Sequence, residues 1–263
     1  MFEAGSKMSI NFYDTIKKGK PTINPNKAIH GIDIPFRMLI ASGSGTGKTH
    51  ALCRLIHAFG KTWNEIIICV PSADEPLYNM IDERLNTHKH HGVIFFENGE
   101  IPDIMNYAIK QPNGKLKKRD NLQRLIVFDD YMMDKKANKM ISEYFLRGRK
   151  LGFSSIYISQ NFYQIPRDVR INTQYFMLGK NIQKRDIRNI LSIFSVDLDL
   201  DKFTEIYNIL TDKPLDTILI DVIGKILTRN IADEKYLFNN SKNCMINYSI
   251  IIDERNGIPT DSE

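Results

Sequence analysis

Short apolar runs of strand length recur along the chain, and the segments between them carry apolar residues at helical spacing. The runs predict strands at Arg37–Ala41, Ile66–Val70, Val93–Phe96, Leu125–Phe128, Ser155–Ser159 and Tyr175–Leu178. Helices are expected at Lys48–Phe59, Leu77–Leu85, Pro102–Ile109, Asn138–Lys150 and Lys184–Ile193. Strands alternating with helices in this way are the pattern of an α/β fold, a mostly parallel sheet with helices on both faces. Beyond Lys184 the rhythm changes. Leu200–Leu210 reads as a helix, and Thr217–Val222 with Lys225–Arg229 reads as a C-terminal β-hairpin turning near Ile223-Gly224 and closing one edge of the sheet. Asn239–Asn243 is a polar loop, Met245–Ile252 a last strand and Asn256–Glu263 a tail. The chain divides into a turn-rich lead-in over 1–34, a folded body over 35–230 and an extension over 231–263.

Composition narrows this little. The 263 residues are 42% hydrophobic, with 36 Lys and Arg against 31 Asp and Glu, a net charge of +5. No apolar run approaches the roughly 18 residues of a membrane span, so a membrane is not an expected partner. The first 20 residues hold Glu3 and Asp14 and no apolar block, so no secretory leader is expected. Three cysteines without CxxC spacing argue against a disulfide framework or a zinc knuckle. A charge of +5 over this length permits nucleic acid without requiring it.

The stretch Ser42-Gly43-Ser44-Gly45-Thr46-Gly47-Lys48-Thr49-His50 changes the picture. A buried strand runs into it and a helix leaves it, the context in which GxxxxGK[ST] cradles phosphate on backbone N–H groups. Ser42 stands where the pattern has its first glycine. Lys48 is placed to reach the β- and γ-phosphates of ATP, and the Thr49 hydroxyl to ligate Mg²⁺. The apolar run Leu125–Phe128 ends in Asp129 and Asp130. Carboxylates at the carboxyl end of a parallel strand face the ligand crevice, so Asp129 is expected to hold the metal and Asp130 to orient and deprotonate the attacking water. The next strand ends in Gln160, whose amide is suited to bond both the γ-phosphate and that water.

These motifs in order, with Arg149-Lys150-Leu151-Gly152-Phe153 ahead of Ser159-Gln160 and Val169-Arg170-Ile171-Asn172 behind it, resemble the FtsK/HerA class of DNA-pumping ATPases. Pro35-Phe36-Arg37-Met38 before the phosphate loop, together with Asp129-Asp130, is most similar to genome-packaging ATPases of large double-stranded DNA viruses and virophages. The resemblance spans Pro35 to Asn172. It implies a P-loop NTPase fold of the additional-strand catalytic-acid, RecA-like type. It also implies an arginine finger in trans at Arg149, with Arg147 its rival, and Arg170 and Asn172 near the nucleotide. The working unit implied is a homo-oligomeric ring, a pentamer or a hexamer, around double-stranded DNA, with capsid or vertex proteins as further partners. The setting is the host cytoplasm, at a viral factory or with the virion. Lys115–Arg119 is a candidate loop for the DNA backbone.

The function read from all this is an ATP-driven motor that packages a viral genome. A cellular FtsK/HerA-like translocase, a P-loop small-molecule kinase and a nucleotide-gated binding protein are the rivals. His88-Lys89-His90-His91 reads as a solvated loop, and Trp63, Tyr157 and Phe162 as core residues before stacking surfaces.

Overall fold

The computed structural model describes residues 22–86, 92–131, 135–194, 199–231, 235–239 and 244–247. A short helix α1 (Lys27–His30) precedes β1 (Arg37–Ala41), α2 (Lys48–Phe59), β2 (Glu65–Cys69), α3 (Pro76–Asn86) and β3 (Gly92–Phe96). A small hairpin, β4 (Ala108–Lys110) with β5 (Leu116–Lys118), stands apart from the main sheet. Then come β6 (Arg124–Asp129), α4 (Lys135–Arg147), β7 (Phe153–Ser159), α5 (Arg167–Asn172) and β8 (Tyr175–Leu178). Helices α6 (Lys184–Phe194) and α7 (Leu200–Leu210) lead to β9 (Ile218–Asp221), β10 (Ile226–Arg229), β11 (Lys235–Asn239) and β12 (Cys244–Asn247).

Ten strands form one sheet in the order β12-β11-β10-β9-β8-β1-β7-β6-β2-β3. The six strands from β8 to β3 are parallel, and the four from β9 onward run antiparallel to their neighbours. Period-two alternation sorts each strand onto two cores. Met38 and Ile40 of β1, with Leu125 and Val127 of β6, meet the stripe Ala51, Leu52, Leu55, Ile56 and Phe59 of α2. Leu39 and Ala41, with Ile126 and Phe128, meet Ala137, Ile141, Tyr144 and Phe145 of α4 on the other side. A one-residue slip of any central strand would put it out of register with both helix layers. At the start of β6, Arg124 is buried and held by Glu65 at 2.5 Å and by both Asp120 oxygens at 2.8 and 2.7 Å, so this charge is paired on every side.

Four expectations need correction. Pro102–Ile109 is not a helix: Asp103 caps a single 3₁₀ turn, Ile104–Tyr107, and the chain then enters β4. Pairing with β5 across the turn Gln111–Gly114 outweighs the local helical spacing, and it makes Lys115–Arg119 largely a strand instead of a loop. Helix α4 ends at Arg147, and Gly148–Leu151 tightens into a 3₁₀ turn because Gly148 lies against Phe153. The hairpin β9–β10 forms where expected, but β11 and β12 continue the sheet beyond it, so it is not an edge. The segment α5 has no counterpart among the predicted elements. Trp63, Tyr157 and Phe162 are buried core residues. The run His88–His91 and the tail from Asn256 lie outside the described residues.

Candidate active site

All five parallel-strand ends that matter here lie along one edge of the sheet. Strand β7 is inserted between β1 and β6, pairing Ser159 with Ala41 and Ile158 with Asp129. One residue further on, Gln160 therefore sits between the start of the phosphate loop and Asp130, exposed at the crevice. This interposed strand is the additional strand that the resemblance implies.

The loop itself is held from both flanks. Ser42 is buried and its N–H donates to Ser159 O at 3.4 Å, while Gly43 N–H donates to Lys180 O at 3.1 Å. Thr46 Oγ1 lies 2.7 Å from both Ser42 Oγ and Gly43 O, closing the turn that the serine in place of glycine has to make. Gly47 has φ of 94°, a left-handed conformation that precedes α2 and that a side chain would strain. Lys48 Nζ donates to Gly43 O at 3.3 Å, folded over the loop where an anion would be received. Gly179, just past β8, comes so close that a Cβ there would lie 2.6 Å from the Ser42 Cβ.

Across the crevice Asp129 accepts a short hydrogen bond from the Tyr78 hydroxyl. Burial pushes the Asp129 carboxyl up to about 6, with Asp130 and Glu75 adding to the rise and Tyr78 and Lys48 opposing it. Burial likewise raises Tyr78, with Asp129 beside it. Asp130 takes a left-handed φ of 55°, its N–H bonds Ile158 O at 3.2 Å, and its Oδ1 is buried without a hydrogen-bond partner among the described residues. A non-glycine residue held this way is uncommon and belongs to sites where a side chain must be aimed.

Glu75 and Tyr78 escaped the sequence reading. Thr49 Oγ1 donates to Glu75 Oε2 at 3.4 Å, and a cavity of 450 Å³ is lined by Gly45, Gly47, Lys48, Thr49, His50, Glu75, Leu77 and Leu215. The signal for Glu75 was present: Asp74-Glu75-Pro76 is a helix start just beyond a buried strand, hence at the same edge. No group of three or more His, Cys, Asp or Glu among the described residues is arranged to enclose a metal. Thr49 and Asp129 fit Mg²⁺ in its usual manner all the same, as one or two protein oxygens completed by phosphate and water. The buried, raised Asp129 is the group a cation would relieve.

A family model described as the poxvirus A32 protein matches residues 30–246. The chain belongs to this family. Among curated proteins none matches. Three solved structures share the fold with the A32 family chain. The DNA-packaging ATPase B204 of Sulfolobus turreted icosahedral virus is 13% identical over 79% of this chain and 98% of its own, with a TM-score of 0.50. The genome-packaging NTPase B204 of Sulfolobus turreted icosahedral virus 2, in complex with AMPPCP, is 12% identical over 75% and 98%, with a TM-score of 0.50. The type VII secretion ATPase EccC of Thermomonospora curvata is 15% identical over 76% of this chain and 25% of its own, again with a TM-score of 0.50.

In the A32 family chain the remaining predicted residues are spread over both edges of the sheet. Arg149 is exposed in the turn before β7, at the amino end of the parallel strands and so on the edge opposite the phosphate loop. It lines a cavity of 320 Å³ with Lys118, Lys150, Ile34, Pro35, Asn64 and Gln123, all at that far edge. Arg147 is paired with Glu143 at 3.1 Å. Asn172 Oδ1 accepts from Arg37 Nη1 at 3.2 Å at the start of β1, which puts it beside the far edge and not beside this chain's own phosphate loop. Arg170 stacks over Phe162 at 5.6 Å. Phe162 lies two residues beyond Gln160, on the carboxyl side of β7, so Arg170 stands toward the crevice edge, and the expectation of an approach to the nucleotide fails within one subunit for Asn172 alone.

Proposed function

We propose that this chain is an ATPase that couples hydrolysis to moving double-stranded DNA, packaging a viral genome into a capsid. The observation that carries the reading is the strand order β1-β7-β6, which gathers Lys48, Thr49, Asp129, Asp130 and Gln160 along one crevice. Membership of the A32 family and the shared fold with packaging ATPases support the DNA task.

In this reading Ser42 to His50 cradle the triphosphate and Lys48 bridges its outer phosphates. Thr49 and Asp129 would hold Mg²⁺, which supplies charge neutralisation on the β- and γ-oxygens. Asp130, aimed by its left-handed backbone and with an unshared buried oxygen, orients the water and accepts its proton. Gln160 lies between the phosphate end and that water and reports the state of the γ-phosphate. Arg149 cannot reach its own phosphate loop from the opposite edge, which supports a role toward the nucleotide of a neighbouring copy. A ring of five or six subunits places each far edge against the next crevice. Lys115, Lys117, Lys118 and Arg119 on and beside β5 supply cations for a DNA backbone without base readout.

ATP turnover with and without duplex DNA tests the proposal. Turnover should rise with DNA and fall about 100-fold or more in both Lys48→Ala and Asp130→Asn. Turnover indifferent to DNA but dependent on a small acceptor would replace the motor with a kinase, and an active Asp130→Asn protein would remove Asp130 from the chemistry.

A further inference from the structure

The cavity beside the phosphate loop has two chemically different ends. Gly45, Gly47, Lys48 and Thr49 offer N–H groups and a cation, which suit phosphate, whereas Leu215 offers only hydrocarbon. Leu215 comes from the segment between α7 and β9, on the side of the loop away from Asp129 and Asp130. Its Cδ2 lies 2.5 Å from the place a Cβ of Gly47 would take, and the His50 Cβ lies 3.7 Å from the same place, so the three residues meet at the mouth of α2.

Leu215 is held there against its own preference. Its φ is 66°, in the left-handed region that a leucine rarely adopts, and the residue stays 43% exposed. The segment is clamped at both feet. Arg229 Nη2 bonds Asp212 at 2.6 Å and Asp216 at 2.7 Å, and Asn230 Nδ2 donates to Asp216 at 3.1 Å. Thr217 N–H donates to Asn230 Oδ1 at 3.0 Å, and Arg54 of α2 donates to the same oxygen at 3.0 Å. The clamp therefore ties the segment to the helix that begins at the phosphate loop. A fixed apolar side chain kept half in solvent beside a phosphate cradle is an incomplete contact.

Resting on the nucleotide reading above, we propose that Leu215 is the platform for the nucleoside end of the bound triphosphate, packing against the face of the base over Gly47 and His50. The γ end is turned toward Gln160 and Asp130, so the nucleoside leaves on the other side of the loop, where Leu215 stands. Apolar contact with a flat ring face, with few polar groups, is the usual make-up of such a subsite.

Calorimetric titration of the full chain, in Mg²⁺ buffer, with ATP and separately with inorganic tripolyphosphate separates the two ends. Leu215→Asn retains a residue at ease in the left-handed region, and Leu215→Ala removes the side chain beyond Cβ. Both variants should bind ATP roughly fivefold to tenfold more weakly than the parent, with tripolyphosphate affinity unchanged. Equal loss for both ligands would mean that Leu215 only shapes the phosphate loop, and no loss for either would mean that it touches neither; each overturns the platform. A parent chain that binds ATP no more tightly than tripolyphosphate also overturns it while leaving the phosphate site standing. A parent that binds neither ligand, like Lys48→Ala, overturns the nucleotide reading itself.

Discussion

Charge pairing at single residues sets how firmly the walls of the crevice are held. Asp216 is pulled up by burial, but the hydrogen bonds from Arg229 and Asn230 outweigh this and hold its carboxyl below the usual range. A carboxyl whose folded pKa is depressed contributes stability that is complete above its unfolded value near 3.9 and is lost as pH falls through the lower folded value. Asp216→Asn should therefore melt at a lower temperature than the parent at pH 7, with the gap closing as thermal melts are run toward pH 3. A gap that stays constant with pH would show that the carboxylate charge is not what holds the segment. Asp129 stands in the opposite condition, since burial raises it and it lies among Asp130, Glu75 and Lys48. A carboxyl raised in this way marks a functional-site candidate, and a cation sharing the site would favour its charged form.

Among the elements, β8 matters to the nucleotide although none of its side chains lines the crevice. It pairs with β1 from Met38↔Tyr175 to Ala41↔Leu178, and Gly179 then passes directly under Ser42. The Tyr207 hydroxyl donates to Gly179 O at 2.6 Å and fixes this approach from α7. Gly179→Ala would drive a methyl group into Ser42 and move the first residue of the phosphate loop. ATP affinity should fall about tenfold or more while circular dichroism and the melting midpoint change little, because the cost falls on loop geometry and not on the core. Unaltered ATP affinity would show that the loop tolerates displacement at Ser42. The hairpin β4–β5 is a contrasting case, since it adds no strand to the sheet, exposes Lys117 and turns Lys118 into the cavity at the far edge.

For the whole molecule, the decisive feature is polarity. The carboxyl edge of the parallel strands gathers Asp129, Asp130 and Glu75 around the phosphate loop, and the amino edge gathers Lys118, Arg149 and Lys150. A head-to-tail contact between copies would bring the second edge to the first, which closes as a ring when the rotation allows. If Arg149 acts on a neighbour as proposed, Arg149→Ala and Lys48→Ala proteins, each slow alone, should regain turnover when mixed, because a Lys48→Ala subunit still offers its arginine, worth about 10³ to 10⁵ in rate, to the intact crevice of an Arg149→Ala neighbour. A mixture no more active than the two variants alone would place Arg149 outside the shared site.

The central strands were legible in the sequence because apolar runs of four to six residues bounded by turns have few other uses, and the phosphate loop because strand, glycine-rich turn and helix are contiguous. Asp129, Asp130 and Gln160 were legible for the same reason: each ends a readable strand. What failed was non-local. Pro102–Ile109 carries helical spacing yet runs into β4, which pairs with β5, and α5 is too short to show a period. Glu75, Tyr78, Gly179 and Leu215 lie on loops and ends whose position depends on strand order, which no local pattern encodes. Sequence alone determined that this chain has a P-loop and an acidic strand end. Only the tertiary structure decided that β7 lies between them, that Leu215 covers one side of the loop and that Arg149 faces away from it, because those relations come from pairing between distant segments.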